Sequence, residues 1–275
     1  MVTALITGGT SGIGATFARS LASRGYDLVL VARNEENLAS IAAELNGRGT
    51  AVETISADLS DRADVARIAE RLGDAERPID LFVNNAGFGV HWPLVTTDMK
   101  KHEYALDVML RAVMVLGGAA ASAMVARGSG SIINTSSVAG YLTMGSYSSI
   151  KAWVTSYTES LAVELRGTGV TATALLPGWV RTEFHKSANI RTSSIPSFLW
   201  VDLTRVVETG IKDAARGKVL SIPSLRFRLI SGFLRHIPRG ALRSVSAAVS
   251  SSRADSQDAG TPKKDSHNEV SSTHE

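Results

Sequence analysis

Residues 7–14 read Thr7-Gly8-Gly9-Thr10-Ser11-Gly12-Ile13-Gly14, set between the strand-like Val2-Thr3-Ala4-Leu5-Ile6 and a helix-like run from Ala15 to Leu21. Glycines at 8, 12 and 14 allow the backbone to turn tightly and to lie close against a pyrophosphate. The helix that follows offers unpaired N–H groups and its positive dipole end. Any tight turn can require glycine, so the cluster alone is weak. Its place at a first strand-to-helix junction makes it a dinucleotide-binding signature, carried by Gly8, Thr10, Ser11, Gly12, Ile13 and Gly14.

Working outward, short aliphatic runs alternate with longer segments of helical period. Strands are predicted at Val2–Thr7, Leu28–Ala32, Ala51–Ser56, Leu81–Asn84, Ser131–Thr135, Val170–Leu176 and Lys218–Ile222. Helices are predicted near Gly12–Arg24, Glu35–Asn46, Ala63–Leu72, Glu103–Arg127, Tyr147–Arg166 and Asp202–Arg216. The strands are continuous apolar runs, as they must be when helices cover both faces. The fold class is therefore α/β, a Rossmann-like doubly wound parallel sheet of about seven strands.

With 275 residues, 44% of them apolar and 20% charged, the chain suits one large globular domain and not a disordered one. It contains no cysteine, which excludes disulfides and thiolate metal sites. No signal peptide precedes the first strand, and no uninterrupted apolar run approaches the ~20 residues of a membrane span. The expected location is cytoplasmic. The net charge of +3 hides seven basic residues and no acid between Arg216 and Arg243, without which the remainder carries −4. Such a local excess is not a nucleic-acid-binding composition. Residues 1–222 read as the catalytic domain, with a substrate lid at about 183–201. A basic amphipathic helix at 223–249 and a polar tail at 250–275, read as disordered, complete the chain.

The end of the second strand selects the dinucleotide. A carboxylate there would accept the ribose hydroxyls of NAD, but this chain has Ala32-Arg33-Asn34. Arg33 can meet a 2′-phosphate with a charge-assisted, bidentate contact, which favours NADP(H) over NAD(H). The duller alternative is a solvated arginine opening a helix.

Four further motifs follow. Asn84-Asn85-Ala86-Gly87 ends the fourth strand and Ser136-Ser137 the fifth. Tyr147-Ser148-Ser149-Ile150-Lys151 opens a long helix, and Pro177-Gly178-Trp179-Val180-Arg181-Thr182 closes the sixth strand. From Val2 to Ile222 the sequence resembles the short-chain dehydrogenase/reductase family, with every motif in the family's order. The resemblance implies an oxidoreductase that interconverts a carbonyl and an alcohol. Tyr147 would be its general acid/base, Ser137 would hold the substrate oxygen, and Lys151 would contact the nicotinamide ribose. It also implies cofactor contacts at Asp58, Leu59, Asn85, Ala86, Gly87, Pro177, Gly178, Val180 and Thr182, and a homodimer or homotetramer built on the two long helices. The physics of the pair agrees. Tyr147 and Lys151 lie at i and i+4 on one helix face, where an ammonium lowers the cost of a phenolate.

One position departs from the family pattern. Where the family carries asparagine, this chain reads Asp107-Val108-Met109-Leu110. In the family that asparagine maintains a helix distortion, and its carbonyl holds a water linked to the active lysine. Methionine keeps the carbonyl and loses the polar side chain, so a weakened or rearranged proton relay is expected.

The residues expected to line the substrate site are apolar: Phe184, Ile190, Ile195, Phe198, Leu199 and Trp200 in the lid, with Phe88, Trp92, Tyr141, Met144 and Trp179 from nearby loops. They suit an apolar carbonyl or alcohol, or simply pack the lid. In the basic segment, Leu225, Leu229 and Phe233 share a helix face, while Arg228, Arg235 and Arg239 fall elsewhere. That helix would lie on an anionic membrane through residues 224–243, or dock on the domain or a dimer partner with its arginines solvated. Two other function classes stay open: a dinucleotide sensor without chemistry, and a membrane- or partner-binding scaffold.

Overall fold

Leu5 and Ile6, adjacent in β1 (Val2–Thr7), enter two different cores. Successive side chains of a strand point to opposite faces, so an unbroken apolar run serves helices on both sides. The same division holds for Val29 and Leu30, Phe82 and Val83, and Ile132 and Ile133. Each such side chain, withdrawn from water, stabilises the fold by about 1.5–3 kcal/mol before entropy is counted.

These statements rest on a computed structural model, which describes residues 2–90, 92–180, 197–238, 240–244 and 246. After β1 come α1 (Gly12–Ala22), β2 (Tyr26–Ala32), α2 (Glu35–Asn46), β3 (Val52–Ser56), α3 (Arg62–Gly73) and β4 (Leu81–Asn84). Then follow α4 (Lys100–Leu106), a π-turn (Asp107–Arg111), α5 (Ala112–Arg127), β5 (Gly130–Thr135), a 3₁₀ turn (Val138–Tyr141) and α6 (Gly145–Glu164). The remainder is β6 (Val170–Leu175), β7 (Trp179–Val180), β8 (Trp200–Val201), α7 (Leu203–Ala215), β9 (Leu220–Ser221) and α8 (Leu225–His236). A 3₁₀ turn at Ser197–Leu199 leads into β8.

The main sheet has seven parallel strands in the order β3-β2-β1-β4-β5-β6-β9. One core packs α3, α5 and α6 on the sheet through Ile68, Leu116 and Ile150. The other packs α1, α2 and α7 through Phe17, Ile41 and Val207. Chain order reverses between β1 and β4, and the crevice at their carboxyl ends is where such sheets bind ligands. Local chemistry starts the helices: Asn34, Asp61 and Asp202 each accept a backbone N–H as caps of α2, α3 and α7.

The structure differs from the sequence reading in four places. β2 begins earlier, at Tyr26. The helix expected over 103–127 is interrupted by the π-turn, in which Ala112 N–H reaches back to the Asp107 carbonyl. β7 and β8 form a small parallel pair that no periodicity announced. The basic segment ends a helix at His236, before Pro238, as proline requires, and residues 240–244 are helical again. By length and composition the Lys100–Arg127 helix could cross a membrane, but half of its apolar stretch is buried against the sheet. Phe184, Ile190, Ile195, Thr182, Arg239 and the 250–275 tail lie outside the described residues, as does the Phe198 side chain.

Candidate active site

The glycine turn sits at the crevice between β1 and β4. Gly8 has φ +67°, and a Cβ there would lie 3.0 Å from the Ala86 Cα. Gly14 is more constrained still: its Cβ would stand 2.0 Å from the Gly8 carbonyl oxygen, so α1 can approach the turn only as glycine. Thr7 fastens the neighbouring motif. Its hydroxyl accepts the N–H groups of Asn85 and Ala86 at 2.9 and 3.1 Å, and its carbonyl accepts Asn85 Nδ2 at 3.1 Å. At Ser11 no side chain caps α1, and no acid occupies its first turn. The first N–H groups of the helix therefore remain for an anion.

A cleft of about 540 Å³ opens beside this turn, lined by Gly8, Thr10, Ser11, Arg33, Asp58, Leu59, Ala86 and Gly87 among the expected residues. Asn34, Asn37, Phe88, Tyr104 and Val108 also line it, and the sequence reading had not placed them there. Gly12, Ile13 and Gly14 form the start of α1 behind the lining. Asp58 accepts the Ser60 N–H and hydroxyl at 2.9 and 2.8 Å, while Asp61 performs the helix capping. An uncapped helix end, a backbone cradle closed to side chains and one arginine at the far wall fit a phosphorylated dinucleotide.

The catalytic candidates meet at the end of β5. Tyr147 and Ser137 are joined by a side-chain hydrogen bond. Ser137 Oγ also accepts the Ala139 N–H at 3.2 Å, which fixes its rotamer. Lys151 is 5% exposed, and its ammonium donates to the Thr135 carbonyl at 2.8 Å. It also stands 5.8 Å from the centre of the Tyr147 ring, within cation–π reach. Ser136 locks the helix from below, donating to the Lys151 carbonyl at 2.7 Å. A Cβ at Gly140 would fall 2.8 Å from Ala152 N, so glycine there lets the 3₁₀ turn carry Ser137 close to α6. Burial pushes the Tyr147 hydroxyl up to about 12 against the opposing bond from Ser137. Burial lowers Lys151 to about 8.

Met109 occupies the centre of the π-turn and is wholly buried. Its Sδ accepts the Phe88 N–H at 3.4 Å. A Cβ on Gly87 would lie 3.2 Å from that sulfur and 3.6 Å from Lys151 Nζ, so Gly87 leaves room for both. The helix distortion expected of an asparagine thus persists around a methionine.

Residues 2–192 match the family model described as short chain dehydrogenase. The chain is a short-chain dehydrogenase. The dehydrogenase is 36% identical over 185 residues to sulfoacetaldehyde reductase 2 of Chromohalobacter salexigens, covering 66% of this chain and 73% of that protein. A short-chain dehydrogenase from Sphingobium yanoikuyae in complex with NADPH superposes with a TM-score of 0.77 at 30% identity, over 98% of this chain and 99% of that one. A bulky-bulky ketone specific alcohol dehydrogenase from Comamonas testosteroni gives 0.73 at 30% identity, over 86% and 95%. The dehydrogenase is thus an oxidoreductase of a family that uses nicotinamide dinucleotides on CH–OH donors.

Two aromatic groups form where the chain leaves β4 and β6. Phe88 stacks on Tyr104 at 5.4 Å and approaches Trp92 at 6.5 Å, and Trp179 meets Trp200 edge-on at 6.4 Å. Val180, in β7, is buried in the second core. Gly178 faces α8: a Cβ there would stand 2.1 Å from the Phe227 ring. α8 docks through Phe227 and Ser231, with Arg228 donating to the Ile222 carbonyl and Arg235 lying over the Tyr141 ring beside Glu159. Leu225, Leu229 and Phe233 point outward, 65–70% exposed. The helix is docked, as one sequence reading allowed, but Arg228 and Arg235 help to hold it and its apolar stripe faces away.

Proposed function

We propose that this dehydrogenase uses NADP(H) to interconvert an apolar ketone or aldehyde and its alcohol. The observation that carries the reading is the convergence of Ser137, Tyr147 and Lys151 beside a phosphate-binding turn with Arg33 at its far wall. The glycine turn and Arg33 would hold NADPH in the crevice, where it would supply the hydride. Ser137 and Tyr147 hold the carbonyl oxygen, and the Tyr147 hydroxyl, kept protonated by its burial, delivers the proton. The buried Lys151 ammonium stabilises the phenolate left behind. The overall balance is one carbonyl, one NADPH and one proton converted to one alcohol and one NADP⁺.

The names of the compared proteins span a small sulfonated aldehyde and bulky ketones. The aromatic groups Phe88–Trp92 and Trp179–Trp200 favour the latter class here. NADPH consumption against matched alcohol formation, over a panel from aryl ketones to sugars, tests the reading. Aryl or long-chain ketones should turn over fastest. No stoichiometric alcohol from any carbonyl would remove it.

A peripheral membrane contact is a second reading, favoured by the exposed Leu225, Leu229 and Phe233 in a segment without acids. It would place a cytoplasmic enzyme on an anionic leaflet. Sedimentation with anionic vesicles should fall when the three become glutamine, and unchanged sedimentation would reject the contact. A homodimer or homotetramer is also proposed, through the exposed Met114, Val115, Val125 and Val163 of α5 and α6. Light scattering reads the mass directly, and a monomer would reject it.

A further inference from the structure

Tyr104 comes from α4, an element to which the sequence assigns no part in cofactor binding, yet it lines the cleft together with Arg33. Arg33 Nη1 donates to its phenolic oxygen at 2.6 Å. Its ring is half-buried and stacked on Phe88 at 5.4 Å, with 29° between the planes. The ring is therefore held by packing and its hydroxyl by a guanidinium.

A phenol that accepts a bond keeps its own O–H to donate. Acceptance from a cation polarises that O–H and makes it the better donor. Burial raises the Tyr104 hydroxyl above its ordinary range, against the pull of Arg33 and with a smaller push from Asp58, so it stays protonated. Asp58 would oppose an anion nearby, but one of its oxygens is occupied by the N–H and hydroxyl of Ser60. Thr10, Ser11, Asn34 and Asn37 complete a wall of neutral polar groups around the pair.

We propose that Tyr104 is a specificity-determining residue: with Arg33 it forms a donor pair that recognises the 2′-phosphate of NADP(H). The inference rests on the reading of Arg33 as the 2′-phosphate residue and adds its partner. Arg33 supplies charge, and Tyr104 supplies both its orientation and a second, directed donor. A fixed guanidinium loses less freedom on binding than a solvated one.

The test isolates the adenosine half, so catalysis plays no part in it. Calorimetric titration of the full chain with 2′,5′-ADP and with 5′-AMP compares two probes that differ only in the 2′-phosphate. Tyr104→Phe keeps the ring on Phe88 and removes the hydroxyl. It should weaken 2′,5′-ADP by roughly five- to tenfold, the loss of one charge-assisted bond, and change 5′-AMP by less than about twofold. Arg33→Ala should weaken 2′,5′-ADP further, and the double variant should lose less than the two single effects combined. Equal weakening of both probes would reduce Tyr104 to ring packing and overturn the proposal. Tighter 2′,5′-ADP binding would make Tyr104 a competitor for Arg33 and overturn it also. A wild-type chain that does not prefer 2′,5′-ADP would remove the Arg33 reading beneath it, whether or not the enzyme turns over a carbonyl.

Discussion

Met109 Sδ accepts the backbone N–H of Phe88 at 3.4 Å, at the centre of a π-turn where the family resemblance leads to the expectation of asparagine. The sulfur stands at the same number of bonds from the backbone as an asparagine Oδ1. The thioether can therefore accept from the loop that follows β4, as an amide oxygen would, and cannot replace the amide's donor. The π-turn itself is closed by the backbone, through the Ala112 N–H and the Asp107 carbonyl.

Met109→Asn should keep the Phe88 contact through a stronger oxygen acceptor and restore a polar group near Lys151. Reductase kcat should rise about two- to tenfold, with the NADPH dissociation constant unchanged. Steady-state kinetics and fluorescence titration check both. A lower kcat in a variant of undiminished thermal stability would show that the relay has been rebuilt around the thioether.

Reduction should slow as pH rises through about 8, because Lys151 then loses the proton that stabilises the Tyr147 phenolate. Tyr147, held near 12, keeps its own proton over that range. A pH profile of kcat at saturating NADPH and carbonyl reads the fall directly. A rate constant from pH 7 to 10 would contradict the role given to Lys151.

Lys151 also carries a stability cost that its chemistry explains. Its value in the fold is about 8 against an ordinary 10.5, so the unfolded chain binds the extra proton more tightly between those limits. The cost is fully present below pH 8 and disappears as pH rises towards 10.5. Lys151→Met should abolish reduction yet unfold at the same or a higher temperature at pH 7, by roughly 1–3 kcal/mol after the lost bond to Thr135 is counted. The advantage should vanish above pH 10. A large loss of thermal stability at pH 7 would instead make Lys151 a structural donor first.

What the sequence disclosed divides along physical lines. The glycine turn, Arg33 and the Tyr147–Lys151 pair are local, and spacing alone puts each on its strand end or helix face. Tyr104 was not legible, because its meeting with Arg33 joins side chains 71 positions apart in the sequence. The π-turn leaves no mark in hydrophobic period, since one added residue in the ladder shifts the face by only part of a turn. α8 shows the limit most plainly: its period defined an apolar stripe of Leu225, Leu229 and Phe233, but the residue that enters the core is Phe227. The socket that selects Phe227 is Gly178, 49 positions earlier in the chain, where any side chain would collide with its ring.

The most direct measurement is NADPH oxidation with the best carbonyl by the wild-type chain and by Tyr147→Phe, with NADPH binding measured in parallel. Removing one hydroxyl should lower kcat by about 10²–10⁴-fold, the range of general acid catalysis, while NADPH binds within about twofold of wild type. A Tyr147→Phe enzyme that keeps more than about a tenth of the wild-type rate would contradict the assignment of the proton to Tyr147.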